Sequence, residues 1–535
     1  MGDYQKRHKD SMARHSANAS VTQTVGSPEG LCVPNLPLSR IPNPESRIPP
    51  RFSLRGLLLC AGLLLGFAVL SAREFPPEVP PPKPIDLPTP QVRKLPNGLQ
   101  VVVIERHSLP LLTLRLVVKS GAEADPPTLP GTAQLTAGLL SQGTARRSAR
   151  EIAEAVDFVG GSLETDAGWD SSFASLTVLA DHTELAFDLL ADVVLHPAFA
   201  PTELERQRKQ TLSALEVVRD DPAYLADTVF NLLIFSETPY GHPADGTEES
   251  VRRITPQDLR TFHEQHYRPS NCVLAAVGDI TTEQAVTLAG KFFGAWEDRP
   301  TPPRPAGMVA ATHPRRIVVI DKPDAVQTEI RVGNLAIRRE SPDYYALTVA
   351  NQILGGPAAN RLFKALRSQQ GLTYGASSDL VCQQMLGTWV AKTFTRTAET
   401  ARTVQQVLEQ MERLRDQPIT TSELRTAQSY LVGHMALEFE SSDDIAAQFL
   451  ELMVYNLPLD YWSRFPQKVQ VVGTEEVLRT TQRYLDPERN VIVLVGSAAG
   501  FSRELDKLGA YQVISVRDLD FASPDLTRAA HAAVH

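Results

Sequence analysis

The sequence predicts an α+β protein built from two homologous domains, each a mainly antiparallel sheet packed with helices. Three observations carry that reading: a repeat at nearly constant offset, the mixture of short strands with long helices, and a proline-rich break in the middle. The repeat begins at LPNGLQVVVIER (95–106), an Asn-Gly turn feeding a β-branched strand. RRIVVIDKP (315–323) repeats it, with Val103-Ile104-Glu105 answered by Val319-Ile320-Asp321 at an offset of 216. APTELERQR (200–208) is echoed by TTSELRTAQ (420–428), each opening a helix, with Glu203 and Glu423 offset by 220. RPSNCVLAAVGDI (268–280) is echoed by DPERNVIVLVGSA (486–498), with Pro269 and Pro487, then Gly278 and Gly496, offset by 218. Three matches at nearly one offset mark an internal duplication.

Within each copy the elements run as two strands, two helices, a strand pair, further helices and a final strand, the order of a sheet with helices on its face. Helices are expected at 148–159, opened by the capping box Ser148-x-x-Glu151, and at 182–195; Thr420 and Glu423 form a second capping box. The first domain spans 91–294 and the second 316–520, with a tail at 521–535. Residues 295–315 between them are Pro-rich, lack periodicity and form the linker. Ahead of the body lie a polar segment (1–55), an uncharged apolar run (56–72, GLLLCAGLLLGFAVLSA) and a spacer (73–90) with eight prolines between 76 and 90. The spacer reads as a semi-rigid polyproline stalk. Arg51 and Arg55 precede the apolar run, as expected on the cytoplasmic side, so the run is a signal peptide or a membrane anchor. The polar residues before it fit either a start placed too far upstream or an uncleaved anchor with a cytoplasmic tail. Both deliver residues 73–535 across a membrane, to a periplasmic or other extracytoplasmic place, secreted or held at the inner membrane.

Composition excludes several classes. Of 535 residues, 42% are hydrophobic and 21% charged, which rules out a disordered or fibrous chain. The net charge is −9, and residues 91–535 carry −12 once the basic start is set aside, the wrong sign for a nucleic-acid binder. Four cysteines with no CxxC pair suggest neither a disulfide scaffold nor a Cys-based zinc site. No G-x-S-x-G elbow, Walker sequence or dinucleotide glycine pattern occurs.

Several runs are recognisable. LPNGLQVVVIER, GTAQLTAGLLSQGT (131–144) and YRPSNCVLAAVGDI (267–280) resemble the N-terminal domain of the pitrilysin/insulinase-type zinc peptidases. DKPDAVQTEIRVG (321–333), DYYALTVANQILGGPAANRLFKALRSQQGLTYGASS (343–378) and the closing strand resemble the homologous second domain. The resemblance implies a pair of α+β domains forming half of a clam-shell chamber around a peptide. It also implies an inverted zinc motif, H-x-x-E-H, in which two histidines on one helical face bind the metal and the glutamate serves its water. Those positions here read Gln134, Ala137 and Gly138, and the position of the remaining glutamate ligand, counted back from Asp220-Asp221-Pro222, is Ala214. No cofactor is therefore expected in this chain. The histidines elsewhere, including His242 and the His263-Glu264-Gln265-His266 run, lack the spacing for a relocated site and are expected to be solvent-facing or locally bonded.

What the resemblance leaves intact is Arg367 and Tyr374, seven residues apart in ALRSQQGLTYGA, matching an Arg/Tyr pair that the family turns toward the peptide carbonyl. Taken alone they are a cation at a helix C-terminus and a half-buried strand aromatic. With the surrounding run, the expectation is the non-catalytic, substrate-binding subunit of a two-subunit zinc endopeptidase, inactive alone. Its partner would be a homologue carrying H-x-x-E-H and the zinc. The alternative is a peptide-binding or structural scaffold of the same fold without proteolytic role.

Overall fold

The computed structural model describes residues 87–236, 238–303, 314–357 and 360–528, all within one compact unit, residues 81–535. The apolar run 56–72 lies outside the described residues; among those described, no helix is long and apolar enough to cross a membrane.

The first domain contains β1 (Gln91–Lys94), β2 (Gln100–Glu105), β3 (Leu111–Val118), α1 (Thr132–Leu139), α2 (Ala149–Phe158), β4 (Ser162–Ala167) and β5 (Ser172–Leu179). It continues with α3 (Thr183–Leu195), α4 (Pro201–Val218), α5 (Pro222–Ile234), α6 (Glu248–Arg253), α7 (Pro256–His266), β6 (Cys272–Gly278) and α8 (Thr282–Phe293). Its sheet runs β1-β2-β6-β3-β5-β4, antiparallel except for β2 beside β6. The second domain contains β7 (Arg316–Asp321), β8 (Gln327–Leu335), α9 (Tyr344–Leu354), α10 (Phe363–Gln369), β9 (Ala376–Cys382), β10 (Gly387–Arg396) and α11 (Thr400–Asp416). Then follow α12 (Thr421–His434), α13 (Ser442–Val454), α14 (Tyr461–Gln470), α15 (Thr474–Tyr484), β11 (Val491–Gly496), α16 (Ser502–Leu505) and β12 (Tyr511–Ser515). Its sheet runs β12-β7-β11-β8-β10-β9.

The two orders superimpose strand for strand except at one edge. There the first sheet adds the antiparallel hairpin strand β1, and the second adds β12, parallel to β7. The chain therefore opens with a strand the sequence reading passed over: β1 is short and polar (Gln-Val-Arg-Lys), with no hydrophobic alternation to announce it. The expected capping boxes are present: Ser148 and Thr420 each accept from the backbone N–H three residues on, and Glu151 and Glu423 reach back.

The central strands read as continuous apolar runs because both faces of each sheet are covered. In the second sheet, Ile317, Val319, Ile330, Val332 and Trp389 face one core, while Val318, Ile320, Val390, Val491 and Val493 face another. What covers the second set comes from the other domain. Helix α5 lays Leu225, Val229, Phe230 and Leu233 against β8 and β11. Reciprocally, α13 of the second domain lays Ile445 and Phe449 against β3 and β6 of the first. Residues 222 and 442 open these helices, so the exchange follows the duplication. At about 1.5–3 kcal/mol for each large apolar side chain buried, either helix contributes several kcal/mol to holding the domains together.

Matched ion pairs fix the exchange. Arg115 on β3 donates twice to Asp443 at the start of α13 (3.0 and 2.9 Å), and Arg331 on β8 donates twice to Asp227 on α5 (2.8 and 3.3 Å). Between them the β4–β5 turn meets the β9–β10 turn. Asp170 accepts from the Gln384 N–H (3.0 Å), from Tyr455 Oη (3.0 Å) and from Tyr240 Oη, which in turn accepts from the Met385 N–H (3.2 Å).

Candidate functional site

Helix α1 begins where its free N–H groups find a carboxylate: the Gly131 and Ala133 N–H groups donate to Asp125 (2.6 and 2.7 Å). Burial pushes the Asp125 carboxyl up to about 8, against the pull of those N–H groups. The helix buries Ala133, Leu135, Thr136, Ala137 and Leu139. Of its residues only Gln134 and Gly138, four apart, reach the surface, so the spacing that could present two ligands together is kept.

The side chains on that face do not suit zinc. Gln134 is engaged at both ends of its amide: Nε2 donates to Asp166 Oδ1 (2.7 Å) and Oε1 accepts from the Ala167 N–H (3.3 Å). Ala137 is fully buried and has no polar atom, and Gly138 offers no side chain. A Cβ added to Gly138 would lie 3.9 Å from Gln207 Nε2 on α4, so the two helices do face each other here. Ala214 is exposed on α4, seven residues and about two turns beyond Gln207, on the same side of that helix. The frame of a two-helix site is present and its donors are neutral or missing, a set that does not fit Zn²⁺.

Several described histidines sit in local contacts. His242 lies between the Ala122 and Pro243 carbonyls (3.1 and 3.0 Å) beside Trp169. His263 Nε2 contacts the Val194 carbonyl (2.8 Å), its ring stacked on Tyr267, and burial pushes it down to about 4. His266 is buried, with Nδ1 3.1 Å from Ser120 Oγ. Exposed His107 lies 2.7 Å from Asp279, whose hydrogen bond raises its pKa. Among the described residues no group of three His, Cys, Asp or Glu side chains could hold a metal ion.

Arg367 and Tyr374 belong to the second domain. Helix α10 is wound with the wide π spacing, a form frequent at functional sites. Gly371 ends it in the left-handed region (φ 60°), where an L side chain is disfavoured, and its N–H returns to the Arg367 carbonyl (3.1 Å). The connection to β9 is then pinned from β10: Thr395 Oγ1 donates to the Leu372 carbonyl (2.7 Å) and Thr393 Oγ1 to the Gly375 carbonyl (2.8 Å). Leu372 is buried beneath it. Tyr374 thus stands on a fixed shelf and is nevertheless 73% exposed. Arg367 is also exposed, its guanidinium 4.8 Å from the Phe363 ring centre. Among the described residues neither side chain has a hydrogen-bonding or ionic partner. Tyr374 is not the half-buried strand aromatic that its residue type alone suggested.

Two family models match the chain: insulinase (peptidase family M16) over residues 100–245, and the peptidase M16 inactive domain over 253–431. Similar proteins include an uncharacterized zinc protease of Mycobacterium tuberculosis, 31% identical over 68% of this chain and 84% of that protein. Another, from Mycobacterium leprae, is 30% identical over 65% of this chain and 79% of its own length. Among solved structures, a peptidase M16 inactive domain from Pseudomonas fluorescens matches with TM-score 0.72 and 31% identity, covering 76% of this chain and 98% of that one. A protease from Helicobacter pylori matches in fold, with TM-score 0.71 and 20% identity over 76% of this chain and 100% of that one.

Proposed function

Because the chain belongs to the pitrilysin/insulinase-type peptidase family M16, with an inactive-type domain in its second half, we propose that it is the non-catalytic, substrate-binding subunit of a heteromeric zinc endopeptidase. The observation that carries this is the exposed, partnerless Tyr374 hydroxyl on a pinned loop, with Arg367 exposed on the helix before it, in a chain whose own metal positions offer nothing to a metal. An ordered loop and the helix before it, presenting two exposed donors without hydrogen-bonding partners, are poised for a group that arrives from outside. A peptide carbonyl becoming an oxyanion is such a group. The homologous partner supplies H-x-x-E-H and zinc, and this chain supplies hydrogen bonds and half the chamber. Zinc resides in the partner alone. The apolar run 56–72 would direct the body across a membrane, leaving it secreted or anchored there.

The test is the complex of this chain with an H-x-x-E-H homologue, assayed on one peptide. Tyr374→Phe keeps the ring and removes the hydroxyl, and should lower kcat by about 10²–10³ with a smaller change in KM, the scale of losing one oxyanion donor. Unchanged kcat in Tyr374→Phe and in Arg367→Lys, or a homologue fully active alone that never co-elutes with this chain, would leave the scaffold reading in its place.

A further inference from the structure

Strand β4 is the outer strand of the first sheet, paired with β5 on one side only. In such a pair, alternate residues turn their backbone N–H and C=O toward the neighbour and away from it. The Ala167 N–H turns away from β5, since it donates to Gln134 Oε1 (3.3 Å). Residues two apart share a direction, so Leu163 and Thr165 turn their backbone groups to the same open edge. An edge of this kind is a template for another strand.

That edge is closed from its far end inward. The Gly168 and Trp169 carbonyls accept from the Ala122 and Glu123 N–H groups (2.9 and 3.1 Å). Gln134 closes the next position, and its own orientation is fixed because Nε2 donates to Asp166 (2.7 Å). What stays open is the backbone of Leu163 and Thr165, too short a run for a strand. The second domain closes its outer strand in the same way. On β9 the Ser378 N–H donates to the Gly355 carbonyl (2.9 Å) and Ser378 Oγ to Asn351 Oδ1 (2.7 Å), which also accepts from Trp389 Nε1 (2.8 Å). Asn351 lies on α9, the first helix after β8, as Gln134 lies on α1, the first helix after β3. Each domain thus ties its first helix to its outer strand through a carboxamide.

We propose that Gln134 is an edge cap, an autoinhibitory contact that prevents β4 from taking an extended peptide as a seventh strand. The inference concerns α1 and β4 alone and does not depend on Arg367, Tyr374 or a partner.

The test uses the full-length chain, residue-resolved hydrogen exchange, and a fluorescent peptide of alternating Thr and Val as the probe strand. In the unaltered chain the Ala167 amide should exchange at least about tenfold more slowly than those of Leu163 and Thr165. Gln134→Met, similar in length but unable to donate or accept a backbone hydrogen bond, should abolish that protection and raise the anisotropy of the probe, which the unaltered chain leaves unchanged. Ala167 exchanging as fast as Thr165 in the unaltered chain overturns the proposal without recourse to any variant. So does a probe that binds both proteins alike, or neither.

Discussion

Replacing Arg331 tests the helix exchange where it is most deeply buried. Arg331 is 4% exposed, and its guanidinium donates to Asp227 twice, to Glu329 (2.8 Å), and to the carbonyls of Ile330 (3.2 Å) and Ala223 (3.3 Å). Arg331→Met keeps most of the aliphatic stem and leaves the two carboxylates without their shared cation. Breaking a buried pair costs about 3–5 kcal/mol. The lower end applies here, for two reasons. Asp227 keeps Lys392 (3.2 Å) and is 40% exposed; Glu329, 21% exposed, has its pKa raised by burial and can take a proton once the arginine is gone. The loss should therefore be about 3 kcal/mol at pH 8 and smaller at pH 5. A folded pKa raised above the ordinary 4.5 of Glu329 favours folding when protonated and penalises it as pH rises. Urea unfolding followed by tryptophan fluorescence reads both domains, since Trp296 packs on the core of the first and Trp389 lies in the core of the second. Because α5 spans the interface, both should lose structure in one transition at lower urea. A loss below about 1 kcal/mol at pH 8, or a biphasic curve in which only the second domain weakens, would refute the argument that the exchange couples them.

Other outcomes follow from features described above. The purified full-length chain should hold no stoichiometric zinc by metal analysis, and Ala137→Glu should not change that, since a base without ligands recruits no metal. The contribution of His263 to stability should be full above pH 6.5 and decline as pH falls toward 4. The unfolded chain protonates His263 near 6.5 while the folded chain holds it down to about 4, worth about 3 kcal/mol at the acid end. His263→Gln should flatten that acid limb in melting curves. Gly355→Ala should lower the melting temperature sharply, because a Cβ there runs into Ser378 N and the Ser377 carbonyl carbon; a wild-type melt would show that α9 and β9 can separate cheaply.

The fold was legible wherever local pattern and tertiary environment agreed. The capping boxes at Ser148 and Thr420 and the β-branched runs VVVI and IVVI depend on near neighbours, and each recurs in the structure, as the repeat does in the matching strand orders of the two sheets. The helix exchange was not legible: the apolar stripe of α5 says that a face is buried and nothing of which sheet buries it. Pairing of Arg115 with Asp443 and of Arg331 with Asp227 spans 328 and 104 residues and leaves no local trace. At the candidate site, the lack of metal donors at Gln134, Ala137, Gly138 and Ala214 could be read from side-chain chemistry alone. The tie between Gln134 and Ala167 could not, since glutamine carries no spacing rule that announces an edge contact. The exposure of Tyr374 likewise depends on Thr393 and Thr395 holding its loop, two residues that otherwise read as ordinary strand threonines.

The crossing of α5 and α13 bears on the order in which the chain acquires structure as it is made. The last strand of the first sheet ends at Gly278, but the helix that covers one face of that sheet begins 164 residues later, at Ser442. At roughly 5–20 residues per second, a nascent first domain waits on the order of ten to thirty seconds with Val102, Ile104, Val273 and Val277 bare to water. Release of a complete domain by the ribosome is thus not release of a folded one. The chain leaves the ribosome as a half-closed sheet whose cover is still unsynthesised, a state that favours holding chaperones over autonomous folding.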